Sequence, residues 1–184
     1  MKKFVSLALL AASLAVSAKA LIVGADVGYL LDDKEEFISA RLGHAFKADA
    51  SLSHQVELEL GYSSHSETIA PLGAPISATS KITPLTLNYR AESIATNKLG
   101  YYFGLGAGVA RTSIKFAGSG VPSVSDHSTS LALQGFVGLS YQVSTAAKLH
   151  LGAKYIWIDE AKLLGIKADV GDDVALSGGV SVKF

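Results

Sequence analysis

Beyond its first twenty residues the chain alternates. Apolar and polar side chains exchange at every second position, the period of a strand, and helical spacing is hard to find. Segments broken by turn residues place strands over 21–31, 35–47, 52–64, 80–92, 98–115, 128–143, 146–158 and 174–184. One face of each is aliphatic or aromatic: Val23, Ala25, Val27 and Tyr29 in the first, Val56, Leu58, Leu60 and Tyr62 in the third, Leu176, Val180, Val182 and Phe184 in the last. The other face differs in kind. It carries Asp26, Arg41, Glu57, Glu59, Arg90, Glu92, Gln134, His150 and Lys154, interspersed with glycines such as Gly104, Gly106 and Gly108.

Alternation alone leaves open which face points outward. A soluble barrel buries its apolar face, and a transmembrane barrel turns it to lipid. Four features favour lipid. Connections after the second, fourth and sixth strands are short, whereas His65–Thr79, Phe116–His127 and Asp159–Asp173 are long, as in outer-membrane barrels; the short first hairpin departs from this. The aromatic residues form two groups on the apolar face: Phe46, Tyr89, Tyr101, Tyr141 and Phe184 toward the short turns, Tyr29, Tyr62, Tyr155 and Trp157 toward the long loops. The glycine-rich face makes sense as an interior, where it leaves room for Tyr102, Phe136, Arg41 or Arg90. Lipid cannot satisfy backbone polar groups, so the sheet must close, and an even strand number lets "SGGVSVKF" pair antiparallel with "LIVGADVGY". The fold expected is all-β: a closed eight-stranded antiparallel up-and-down transmembrane β-barrel, both termini in the periplasm.

Composition narrows the class. The 184 residues fit one domain, and the charged fraction of 17% is low for a soluble one. There is no cysteine, which excludes a disulfide scaffold and thiolate metal sites. Residues 1–20 read as a secretory signal peptide: Lys2 and Lys3, an apolar stretch from Phe4 to Val16, and Ala18 and Ala20 before the cut. The barrel is then 21–184, with 13 basic against 16 acidic residues, a balance unsuited to nucleic acid.

With this pattern the sequence resembles the small bacterial outer-membrane barrels of the OmpA/OmpX and opacity-protein type over essentially all of 21–184. The resemblance rests on the leader, the eight strands, the segment "YYFGLGAGVAR" and the C-terminal strand. In that family the last strand carries an assembly signal, and Gly179, Val182 and Phe184 match its pattern. The resemblance implies recognition by the barrel-assembly machinery and periplasmic chaperones, and a monomer in outer-membrane lipid.

Several residues invite chemistry. Asp26, Arg41, Glu57, Glu59, Arg90, Glu92, His150 and Lys154 are expected to form a salt-bridge network filling the interior, because an unpaired buried charge costs several kcal/mol. The rival reading is an ion path, which eight strands are too narrow to leave open. Arg111 and Lys115 should emerge at the outer headgroups and contact lipopolysaccharide phosphate, or simply snorkel. His65 and His127 read as polar loop residues rather than bases for a lipid-modifying serine, and Asp169, Asp172 and Asp173 as solvated charges rather than a calcium site. No metal, cofactor or catalytic set is expected. Pro84 suggests a bulge at the outer boundary. The favoured function is an envelope-stabilising, surface-interacting or adhesin-like barrel, whose loops would hold any extracellular ligand. The alternatives are a narrow channel and a lipid-modifying enzyme.

Overall fold

The computed structural model describes residues 20–47, 52–69, 76–93, 98–118, 121–163, 166–168 and 172–184. The leader thus lies almost wholly outside the described residues. The strands are β1 (Leu21–Leu30), β2 (Glu35–Lys47), β3 (Leu52–Ile69), β4 (Ile76–Ser93), β5 (Leu99–Gly118), β6 (Val121–Gln142), β7 (Ala147–Ile158), β8 (Ala161–Leu163), β9 (Ile166–Ala168) and β10 (Asp172–Lys183). Eight of them close into an antiparallel barrel in the order β1-β10-β7-β6-β5-β4-β3-β2, while β8 and β9 pair separately. The seam is the pairing that alternation predicts. Val23 lies opposite Val182, Val27 opposite Gly178, and the Phe184 N–H donates to the Leu21 carbonyl at 2.9 Å.

The polarity of a soluble protein is inverted. Val27, Leu105 and Leu151 are 67%, 72% and 68% exposed, whereas Glu57 and Glu92 are 1% and 2% exposed. Water does not tolerate so large a continuous apolar surface, but hydrocarbon requires it. On β5 the outward run Leu99, Tyr101, Phe103, Leu105, Ala107, Val109 extends over ten residue steps. At about 3.4 Å per residue and a tilt of about 45°, it rises about 24 Å, the height of a membrane band.

Strand length corrects the reading of the long loops. β3, β4, β5 and β6 have 18, 18, 20 and 22 residues, far beyond the 9–11 or so needed to span a bilayer. The ladder continues from Ser63↔Ile82 to Ile69↔Ile76, and from Arg111↔Thr129 to Phe116↔Val124. Most of the loops expected at His65–Thr79 and Phe116–His127 are therefore paired strand. Beyond the membrane both faces of these hairpins meet water, so the apolar alternation fades. A register already set below and a run of Ser, Thr and Ile carry the sheet onward. In the third connection, β8 and β9 form their own hairpin with Ala161 opposite Ala168.

Pro84 does not mark a bulge. The β3–β4 ladder lapses between Leu60↔Leu85 and Ser63↔Ile82 but resumes in the same register, and on its other side Pro84 stays paired with Ala110. The proline has no N–H to give, so the ladder is interrupted without an extra residue. Gly61 makes room for it: a Cβ there would lie 2.9 Å from Pro84 Cγ and 2.7 Å from Phe37 Cζ. Leu30, Phe37, Ala110, Ala132, Ile156, Ile158 and Ala175 form an apolar layer inside this outer end. The alternation pattern did not signal this layer, because Leu30, Phe37, Ile156 and Ile158 occupy the otherwise polar face.

Interior glycines fit the large side chains they face. A Cβ at Gly138 would come within 2.5 Å of the Tyr102 ring, whereas one at lipid-facing Gly178 would meet nothing nearer than 3.5 Å. Gly138→Ala is expected to destabilise the barrel by about 1–3 kcal/mol through overpacking, and Gly178→Ala to leave it nearly unchanged. Urea unfolding in lipid vesicles measures both.

Candidate functional site

The barrel interior is built by the inward parity of each strand, which brings charges from five strands together in three groups. Arg41 on β2 forms a fork. Its Nε and Nη2 donate to Asp26 at 2.6 and 3.1 Å, and its Nη1 donates to Glu57 at 3.2 and 3.3 Å. Lys154 pairs with Glu59, whose second oxygen accepts from Asn88 Nδ2 and Gln134 Nε2, both at 2.8 Å. Glu92 accepts from Lys148 at 2.8 Å, Ser140 at 2.6 Å and Gln55 at 3.1 Å, with Arg90 Nε 3.9 Å away. Arg90 stacks over Tyr102, 3.7 Å from the ring centroid. All eight residues singled out by alternation lie here. Alternation did not assign roles to Asn88, Ser140 or Gln55, which complete the hydrogen bonding; only the cross-barrel geometry reveals them.

His150 shows what this arrangement can do chemically. Arg90, always a donor, lies 3.0 Å from its Nδ1, so that nitrogen accepts. The proton of the neutral ring is then on Nε2, which donates to Ser181 Oγ at 2.8 Å. A histidine that donates to a serine cannot take its proton. The pair is structural, not a nucleophile and base. A cavity of about 20 Å³ remains among Asp26, Arg41, Glu57, Arg90, Tyr102 and Lys154, room for about one water. A second, of about 30 Å³, lies in the apolar layer above.

At the outer mouth, Asp173 corrects the reading of solvated charges. It is buried, and its carboxylate accepts from the backbone N–H groups of Leu31, Asp32 and Asp33 at 3.0, 3.1 and 3.1 Å, tying the β1–β2 turn to β10. No sequence signal could reveal a cap whose partners lie about 140 residues away. Asp172 accepts from the Tyr155 hydroxyl at 2.6 Å, and Asp169 lies outside the described residues. His65 belongs to β3 rather than a loop and pairs with Glu35 and, at 3.2 Å, Glu67. Burial, reinforced by Asp173, raises the Asp33 pKa. At the opposite end, His54 stacks on Phe46 at 5.8 Å and bonds the Tyr89 hydroxyl.

The last strand offers a packing reason for one of its marked residues. Gly179 lies opposite Asp26, and a Cβ there would stand 2.7 Å from the Asp26 carboxyl carbon. Val182 and Phe184 face outward and are exposed. Arg111 and Lys115 are exposed on the outer wall of β5.

The same architecture occurs in solved structures. Neisserial surface protein A is 20% identical, with 91% of this chain and 98% of that one covered at a TM-score of 0.57. This chain has the fold of the small outer-membrane β-barrels. A major outer membrane protein from Thermus thermophilus is 11% identical over 89% and 98% of the two chains at 0.62. Ail of Yersinia pestis, in complex with the heparin analogue sucrose octasulfate, is 17% identical over 90% and 97% at 0.54. No family model and no curated protein matches the sequence. In a barrel of this fold the outward apolar band faces lipid and the charges are sealed within.

Removing one partner of a buried pair strands the other. Lys154→Met is expected to cost about 3–5 kcal/mol, and adding Glu59→Gln to restore most of it; equilibrium urea unfolding of the single and double variants tests this. For Asp33 the folded pKa lies above the unfolded one, so its contribution to stability is present at acid pH and lost as pH rises through that range. Asp33→Asn should therefore be more stable than the parent at pH 7, with the difference vanishing below about pH 4, as followed by unfolding midpoints across pH.

Proposed function

We propose that this protein is an integral outer-membrane barrel that strengthens the envelope and displays a surface sheet, and is neither a conduit nor a catalyst. The observation that carries the reading is the filled interior. Paired charges leave a cavity of about 20 Å³ beneath an apolar layer, against the open lumen a solute path requires. In this reading the leader 1–20 is removed and both ends of the barrel lie in the periplasm. The assembly machinery reads Gly179, Val182 and Phe184 on the closing strand.

The extension of β3–β6 beyond the lipid band supports a surface role. These four strands present a sheet above the membrane where an extracellular ligand could be held. A lipid-modifying enzyme finds less support. The extension of β6 puts His127 beside Ser113 on the outward face and Ser125 on the same side of its own strand, a serine–histidine neighbourhood that a loop would not create. Yet the outward positions of β3–β6 above the band carry no carboxylate among the described residues to orient that imidazole.

The purified barrel in planar bilayers should show no stable, sizeable single-channel steps. Lipid A recovered from cells expressing it should keep its mass. Regular conductance would establish the channel instead, and a mass loss the enzyme.

A further inference from the structure

Above the lipid band, the outward face of β3–β6 is a four-stranded grid, and its rows follow from the register. The last aliphatic row is Leu60, Leu85, Val109 and Leu131. The next row up contains Thr83, Arg111 and Thr129; then Ser64, Lys81, Ser113 and His127; then Ser66, Thr79, Lys115 and Ser125. Ser113 is thus surrounded. Lys81 and His127 flank it across the strands, and Arg111 and Lys115 flank it along β5. With strands about 4.8 Å apart and alternate residues about 6.8 Å apart, Lys81 and His127 each stand about 8 Å from both Arg111 and Lys115 at the backbone. The three cations and the imidazole can converge on one group. Lys81, Arg111 and Lys115 are exposed, and none forms an ion pair with a carboxylate among the described residues.

The strands beside this grid expose outward charges of the other sign: Glu36 on β2, Asp172 on β10 and Asp159 just past the end of β7.

We propose that Lys81, Arg111, Lys115 and His127, with the Ser113 hydroxyl at their centre, form a binding site for the phosphate groups of an anionic glycolipid in the outer leaflet. The height selects a lipid over a soluble anion: Arg111 stands one row above Leu85, Val109 and Leu131, against which acyl chains lie, so a headgroup phosphate is carried to the site by the same molecule that coats the wall below. Charge-assisted donors of this kind bind phosphate tightly, and the serine and threonine hydroxyls around them extend the donor set. The inference rests on the membrane placement proposed above.

The test uses the full barrel inserted in phosphatidylcholine vesicles doped with bisphosphorylated lipid A, with dephosphorylated lipid A as the matched probe. Insertion is checked first, by Trp157 fluorescence on the neighbouring strand β7; failure there would refute the membrane placement, not the site. The parent should bind bisphosphorylated lipid A preferentially. Lys81→Gln/Arg111→Gln/Lys115→Gln should weaken that binding about a hundredfold, a factor of about five for each cation at an anionic surface. Each single change should cost about fivefold, should the triple variant fail to insert. Glu36→Gln/Asp159→Asn/Asp172→Asn should not weaken it. Equal binding of the two lipids, an unaffected triple variant, or displacement by equimolar sucrose octasulfate would overturn the proposal, the last by showing a site for soluble polyanions.

Discussion

In hydrocarbon a backbone N–H or C=O without a partner costs several kcal/mol, and no water is at hand to supply one. The β1–β10 seam meets that constraint. It joins the two ends of the meander residue by residue, from Ile22↔Lys183 to Leu30↔Ala175. Without it, two strand edges would stand in lipid. Pro84, which cannot contribute to the β3–β4 ladder, sits where the band gives way to the projecting sheet, with Gly61 opened to receive it.

Closure with eight strands has a second consequence, a lumen only as wide as the side chains that enter it. Inward charges therefore meet across the barrel, and each must be compensated. Arg41 can bridge Asp26 and Glu57 because Gly24, Gly43 and Gly179 leave space around the three side chains. Tyr102 crosses to Gly138 and Gly152 for the same reason. Such pairs contribute less to net stability than their number suggests, since desolvation offsets much of the attraction. They do select one register, because a slip of one residue would put every charge into lipid.

The outside of the barrel is divided as well. Toward the lipid interior all walls are alike, aliphatic with aromatic residues at both ends. At the outer boundary the wall formed by β4, β5 and β6 gathers Lys81, Arg111, Lys115 and His127. That cluster arises from the grid formed by four long strands, which align Lys81, Ser113 and His127 in one row though they are distant in the chain. The filled interior is electrically inward-looking, and this outer grid is where the molecule can engage its surroundings.

Much of this was legible in the chain. Period-two alternation specified the strands, their inward and outward faces, the closing pair and the eight ionisable interior residues, because a pleated strand admits only two directions for a side chain. The sequence did not reveal where the strands stop. Beyond the membrane the apolar pattern fades although pairing continues, so His65–Ile69 and Val121–His127 look like loops. Nor could it reveal Asp173 capping the turn of Leu31–Asp33, the tautomer of His150 set by Arg90, or the apolar layer around Phe37 and Ile156. Each depends on residues that only meet once the barrel closes. Alternation is a local property and survives in one dimension; partnership across a lumen is set by register, tilt and closure, and those exist only in three.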